Sequence, residues 1–167
     1  MKVDKISQKI DHFLKYFLRV LLLSMVILTF LQVTMRYAFN SPLTWAEETI
    51  GVLMIYFGLI GGSLGIYYHA HISLEFFLKK FLKKQEKFVK HIEIFLYIGF
   101  GLIEIICGIQ LMKLTRFQVL PATNLSVHYT YLALPIAGII MIVFAVELIV
   151  RLKRGDNYEL GDNNIIR

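Results

Sequence analysis

The chain has 167 residues, of which 57% are hydrophobic and 18% charged, with a mean hydropathy of +0.63 and a net charge of +6. This excludes an ordinary soluble domain, whose charges interrupt apolar runs every few residues, and predicts an all-α membrane protein forming one domain over 1–167. The basic excess suits an anionic phospholipid surface better than nucleic acid, because the lysines flank apolar stretches long enough to enter a bilayer.

The first element is short. Val3, Ile6, Ile10, Phe13 and Leu14 share one face of a helix, and Lys2, Lys5, Lys9 and Lys15 lie largely off it, so an amphipathic interfacial helix is expected over about 3–15. A first membrane span follows at about 17–35. Val20 to Met35 carries no charge, and Arg19 is placed to snorkel to the headgroups. No small-residue cleavage site follows the apolar core, which reads as an uncleaved anchor.

The second span is expected at about 49–68, where Thr49 to Tyr68 is uncharged and, as a helix, about 30 Å long. Gly51, Gly58, Gly62 and Gly65 fall on one face of it, and Gly61 with Gly65 forms a small-xxx-small pair. Such a groove lets another helix approach closely, with a helix of the same chain preferred to one from a partner. Between spans two and three, Leu74, Leu78, Phe81, Leu82, Phe88 and Val89 recur at helical spacing among Lys79, Lys80, Lys83, Lys84, Lys87 and Lys90. A second interfacial helix is therefore expected over about 72–91, serving as an anchor or as a belt that braces a larger partner. Spans three and four are expected at about 94–112 and 127–147, with a tail over 151–167. Under this arrangement fifteen of the 18 lysines and arginines lie on one side. The positive-inside rule then puts both termini and the lysine-rich loop in the cytoplasm, and the Arg36–Glu48 and Lys113–Ser126 loops outside.

Few residues suit chemistry. The single cysteine, Cys107, lies inside a span and offers neither a disulfide nor a thiolate metal site. His69, His71 and His91 fall at one side of the membrane and His128 at the other, which argues against a bis-histidine haem and with it a redox anchor. No phosphate-binding loop, zinc signature or nucleophile elbow occurs, so no enzyme and no cofactor in this chain is expected. Glu104 is the one acidic residue near the middle of a span, where a bare charge costs several kcal/mol. It is expected to act as a structural clamp, with Gln32 or Gln110 as partner; the competing reading is a proton-coupled site in a self-standing dimeric exporter.

The stretch "RYAFNSPLTWAEE", Arg36 to Glu48, is compact because it turns one span into the next. Ser41 before Pro42, or Thr44 three residues before Glu47, offers an N-cap for the second span, with the glutamates complementing its dipole. Trp45 suits an interfacial anchor, and Arg36 is close enough to pair with a glutamate. Capping needs one carboxylate, which leaves the second available to an external partner.

These residues also carry a resemblance. "RYAFNSPLTWAEE" after a first span, a Gly-rich second span ending in "YYHAHISLEFF", and "LPATNLSVHYTYLALPIAG" leading into a fourth span are similar to the small membrane subunit (DctQ-like family) of tripartite ATP-independent periplasmic (TRAP) transporters. The most specific part is Arg36-Tyr37 followed by Trp45, Glu47 and Glu48. The resemblance implies a bacterial inner-membrane importer of an organic acid such as sialic acid or a C4-dicarboxylate. In it a periplasmic binding protein captures the acid, a large membrane subunit carries the substrate and sodium sites, and the small subunit is a scaffold. Arg36, Tyr37, Trp45, Glu47, Glu48 and Glu104 are then candidates for the partner interface.

Overall fold

The structure, a computed structural model, describes residues 2–68 and 86–154. Its helices are α1 (Lys2–Ala38), α2 (Thr44–Tyr67), α3 (Glu86–Leu114), the single turn α4 (His128–Tyr131) and α5 (Ala133–Arg154). Four stretches, Ser7–Ala38, Thr44–Gly65, His91–Leu114 and His128–Leu152, are long and apolar enough to cross a membrane, and each overlaps one expected span.

The N-terminal interfacial helix is not a separate element. Residues 2–38 contain neither Gly nor Pro, so nothing interrupts the backbone hydrogen bonds, and α1 runs unbroken for 37 residues. That is about 55 Å of helix, well beyond the ~30 Å hydrocarbon core, so part of α1 stands outside it. The second interfacial helix, expected over 72–91, falls mostly outside the described residues; positions 86–91 are the first turns of α3. Of the expected tail, 151–154 extends α5 and the rest lies outside the described residues.

The turn from α1 into α2 uses backbone rather than side-chain caps. Asn40 adopts the left-handed conformation (φ 50°), and the Ser41 N–H donates back to the Met35 carbonyl at 3.1 Å, the long-range bond that closes a helix C-terminus. At the start of α2 the Leu43 carbonyl accepts from the Ala46 and Glu47 N–H groups at 3.1 and 3.4 Å. The cap position is therefore Leu43. Neither the Ser41 nor the Thr44 hydroxyl caps α2 among the described contacts, and Pro42 lies before the helix rather than at its first position. The carboxylate of Glu47 is drawn elsewhere, as shown below.

The helices are arranged in sequence of contact: α1 on α2, α2 on α5, α5 on α3, with α1 touching α5 lightly. Leu14 of α1, Ile60 and Leu64 of α2 and Phe144 of α5 form one buried cluster, while Ile94 and Tyr97 of α3 and Met141, Ala145 and Leu148 of α5 form another. In a bilayer the surrounding lipid is as apolar as these side chains, so close fit has to hold the helices together. The α3–α5 contact supplies it. A Cβ added at Gly138 would stand 2.5 Å from the Gly101 carbonyl oxygen, and one at Gly108 would stand 2.5 Å from Pro135 Cδ. A Cβ has no room at either position, because the Gly101 carbonyl occupies its place in the first case and the Pro135 ring in the second.

The glycine face of α2 behaves differently from the expectation of packing inside the chain. Gly51, Gly58 and Gly62 are exposed, and a Cβ at any of them, or at Gly61, would meet nothing within 4 Å; Gly65 is half-buried. Helical spacing places these glycines together, but the other described helices pack on other faces of α2.

Candidate functional site

The two adjacent glutamates near the start of α2 point at different neighbours. Successive helical residues are rotated by about 100°, and α2 lies between α1 and α5, so consecutive carboxylates can reach opposite sides. Glu47 turns toward α1, where its Oε1 accepts from the Arg36 guanidinium and from Gln32 Nε2. Both ends of this contact are about half exposed, so as an ion pair it contributes little stability and serves to fix the angle between α1 and α2.

Glu48 turns toward the connection between α3 and α4. It accepts three hydrogen bonds there: Ala122 N–H at 2.9 Å, Thr123 N–H at 2.8 Å and the Thr123 hydroxyl at 2.9 Å. The connection is itself a small hairpin. Leu120 N–H donates to the Leu125 carbonyl at 2.8 Å, Asn124 N–H returns to Leu120 at 2.9 Å with Asn124 left-handed (φ 55°), and Val119 pairs with Ser126. The turn thus presents two successive N–H groups to one carboxylate, an anion cradle made of backbone. The second carboxylate, expected to be free for an external partner, is committed to the chain's own loop.

Other polar contacts follow the same division. On the α5 side of α2, the Tyr56 hydroxyl donates to the Tyr129 carbonyl at 2.6 Å, and the Ser63 hydroxyl lies 3.0 Å from both the Leu59 and Ala137 carbonyls. Just past the C-terminal end of α2, beside the N-terminal part of α1, the Tyr68 hydroxyl donates to the buried Asp11, which also pairs with Lys15 at 3.1 Å. Tyr67 packs on Phe144, with the Arg151 guanidinium 5.7 Å from its ring centre, and Arg151 also bonds the buried Glu147. Sequence reasoning missed this cluster; the available signal was Glu147 four residues before Arg151 on a helix. The start of α2 is therefore tied to α1 and to the α3–α4 connection, and its end to α1 and α5.

Of the remaining candidates, Tyr37 and Trp45 project from the hairpin end, 81% and 43% exposed, beside exposed Phe39 and Phe117. Glu104 lies on the face of α3 that carries Gly101 and Gly108 and is 7% exposed, buried by the tight contact with α5. Among the described residues its Oε2 has no hydrogen-bond partner. The expected clamp does not form with Gln32, which serves Glu47, and Gln110 is exposed. His69 and His71 lie outside the described residues. His128 Nδ1 sits 2.7 Å from the Ser126 hydroxyl, and among the described residues no three His, Cys, Asp or Glu side chains converge on a metal-sized site.

Comparison with known proteins places this geometry in a family. The model for the DctQ component of tripartite ATP-independent periplasmic transporters matches residues 25–155. The sialic acid TRAP transporter small permease protein SiaQ of Vibrio cholerae is 28% identical over 124 residues, 74% of this chain and 71% of that protein. The sialic acid TRAP transporter permease protein SiaT of Haemophilus influenzae is 27% identical over 135 residues, 76% of this chain and 21% of that protein, so the chain spans about a fifth of its length. The C4-dicarboxylate TRAP transporter small permease protein DctQ of Vibrio cholerae is 34% identical over 74 residues, 44% of this chain and 31% of that protein.

Proposed function

Because the chain belongs to the family of DctQ components of tripartite ATP-independent periplasmic transporters, we propose that it is the scaffold subunit of an organic-acid importer in a bacterial inner membrane. The family is one of transporters, so the work of the chain is membrane transport and not catalysis. Its partners are a large membrane subunit, which holds the substrate and sodium sites, and a periplasmic binding protein that delivers the acid. The relatives' names offer sialic acid and C4-dicarboxylates as substrate classes.

The observation that carries the scaffold role is the contrast between the two kinds of surface on α2. Its polar groups at both ends are spent on α1, α5 and the loop, which fixes the helices to one another. Its glycine face at Gly51, Gly58 and Gly62 is open. A subunit braced internally and open along a small-residue face is suited to hold still while something packs against it. In this reading Tyr37 and Trp45 meet a partner directly, while Arg36, Glu47 and Glu48 hold the hairpin end in shape. Glu104 supports the exporter alternative only through one unpartnered oxygen, and an ion site needs several convergent ligands.

By the positive-inside rule both termini are cytoplasmic and the hairpin end faces the periplasm. The test is co-purification: a tagged form of this chain should bring down the large subunit, and Gly58→Leu should reduce that yield without unfolding the chain. A monomeric chain that never retains the large subunit would refute the assignment.

A further inference from the structure

One stripe of α1 changes character along its length without leaving its face. Lys9, His12, Tyr16 and Arg19 are separated by three, four and three residues, so they form one row about 15 Å long on the helix surface. They line an open groove of about 710 Å³, together with Gln8, Phe13 and Lys15. All of these side chains but the half-buried Lys15 are exposed. The nearest acidic residue of the described helix, Asp11, is turned away into its contacts with Tyr68 and Lys15. Among the described residues no carboxylate pairs with Lys9 or Arg19.

The row continues into the membrane as Val20, Leu23, Ile27 and Phe30, which keep the same spacing and the same face. These too are exposed, Phe30 at 75%. From Val20 to Phe30 the helix rises about 15 Å, half of the ~30 Å hydrocarbon core and thus the depth of one leaflet. The face therefore offers cations and an amphipathic tyrosine at headgroup level and an uninterrupted apolar track at acyl-chain level. Arg19 sits at the junction, where its planar fork suits a phosphodiester.

We infer that this face of α1 is a binding site for one anionic phospholipid, whose headgroup phosphate is held by Arg19, with Lys9 and His12 farther along the row offering donors and positive potential to the rest of the headgroup, and whose acyl chain lies along Val20, Leu23, Ile27 and Phe30. Charge complementarity selects the headgroup, and the apolar track distinguishes a lipid from free phosphate. The site needs no assumption about which leaflet meets the N-terminal end or about the transported acid.

The test is native mass spectrometry of the full-length chain in mild detergent, titrated separately with phosphatidylglycerol, phosphatidylcholine and inorganic phosphate. Phosphatidylglycerol should be retained in preference to phosphatidylcholine. Lys9→Gln/Arg19→Gln should weaken it roughly 30-fold and each single change roughly 5-fold, with phosphatidylcholine unaffected. Lys113→Gln, at the opposite end of the molecule, should leave retention as in the unaltered chain. Circular dichroism establishes that the variants fold, and the single changes stand if the double does not. Equal retention of both lipids, retention unaffected by the three Gln variants, or displacement of phosphatidylglycerol by millimolar phosphate would each overturn the proposal.

Discussion

The two sets of glycines give the sharpest prediction, because identical substitutions should have opposite outcomes. In Gly138→Ala the new Cβ would lie 2.5 Å from the Gly101 carbonyl oxygen, 2.9 Å from Ile105 Cγ1 and 3.2 Å from Glu104 Cβ. The first of these atoms is backbone and cannot rotate away, so α3 and α5 must separate. Overpacking of this kind typically costs about 1–3 kcal/mol. In Gly58→Ala the Cβ meets nothing within 4 Å, and replacing Gly by Ala inside a helix gains roughly 0.5–1 kcal/mol. Titration of the isolated chain in mixed micelles with SDS, followed by circular dichroism, should place the unfolding midpoint of Gly138→Ala below that of the parent chain and that of Gly58→Ala at or above it. In the assembled transporter the order should change, with Gly58→Leu losing the large subunit. An unchanged midpoint for Gly138→Ala would refute the close α3–α5 contact.

The remaining predictions concern the polar residues and the orientation. Glu48→Gln keeps an acceptor but loses the charge that three donors converge on, so the Ala122 and Thr123 amides should exchange hydrogen several-fold faster; unchanged exchange would remove Glu48 as the anchor of the loop. Glu47→Lys places a second cation beside Arg36 and should splay the hairpin end, lowering subunit affinity while still inserting in the membrane. Glu104→Gln should retain substantial uptake, since the amide has nearly the same shape and no group of three potential ion ligands forms among the described residues; abolished uptake with normal assembly would favour an ion site. Ser41→Cys and Gln85→Cys, each in a Cys107→Ser background, should react with an impermeant thiol reagent from opposite sides of the membrane, and labelling from the same side would contradict four spans.

The four membrane-crossing helices were legible because the bilayer imposes a length and a composition that few other structures share. Arg36 pairing with a glutamate was legible for a similar reason, since a short turn leaves it little choice. What the sequence obscured depended on contacts between distant residues. Glu48 bonds residues 74 and 75 positions away, and no local pattern marks Ala122 and Thr123 as donors. Gly51 and Gly58 share with Gly101 and Gly108 the same spacing of seven, yet the first pair is open and the second is packed tightly against α5. Spacing defines a face of a helix but not what that face meets. The break expected between an interfacial helix and the first span failed on a local point, because amphipathicity changes along α1 while helix propensity does not.

We propose that this chain supports transport without performing it. Sodium-driven uptake of a labelled organic acid into proteoliposomes, with the binding protein supplied outside, tests it directly. Uptake is expected when this chain and the large subunit are reconstituted together, and none when this chain is reconstituted alone, at any acid concentration. Saturable uptake by this chain alone would contradict it.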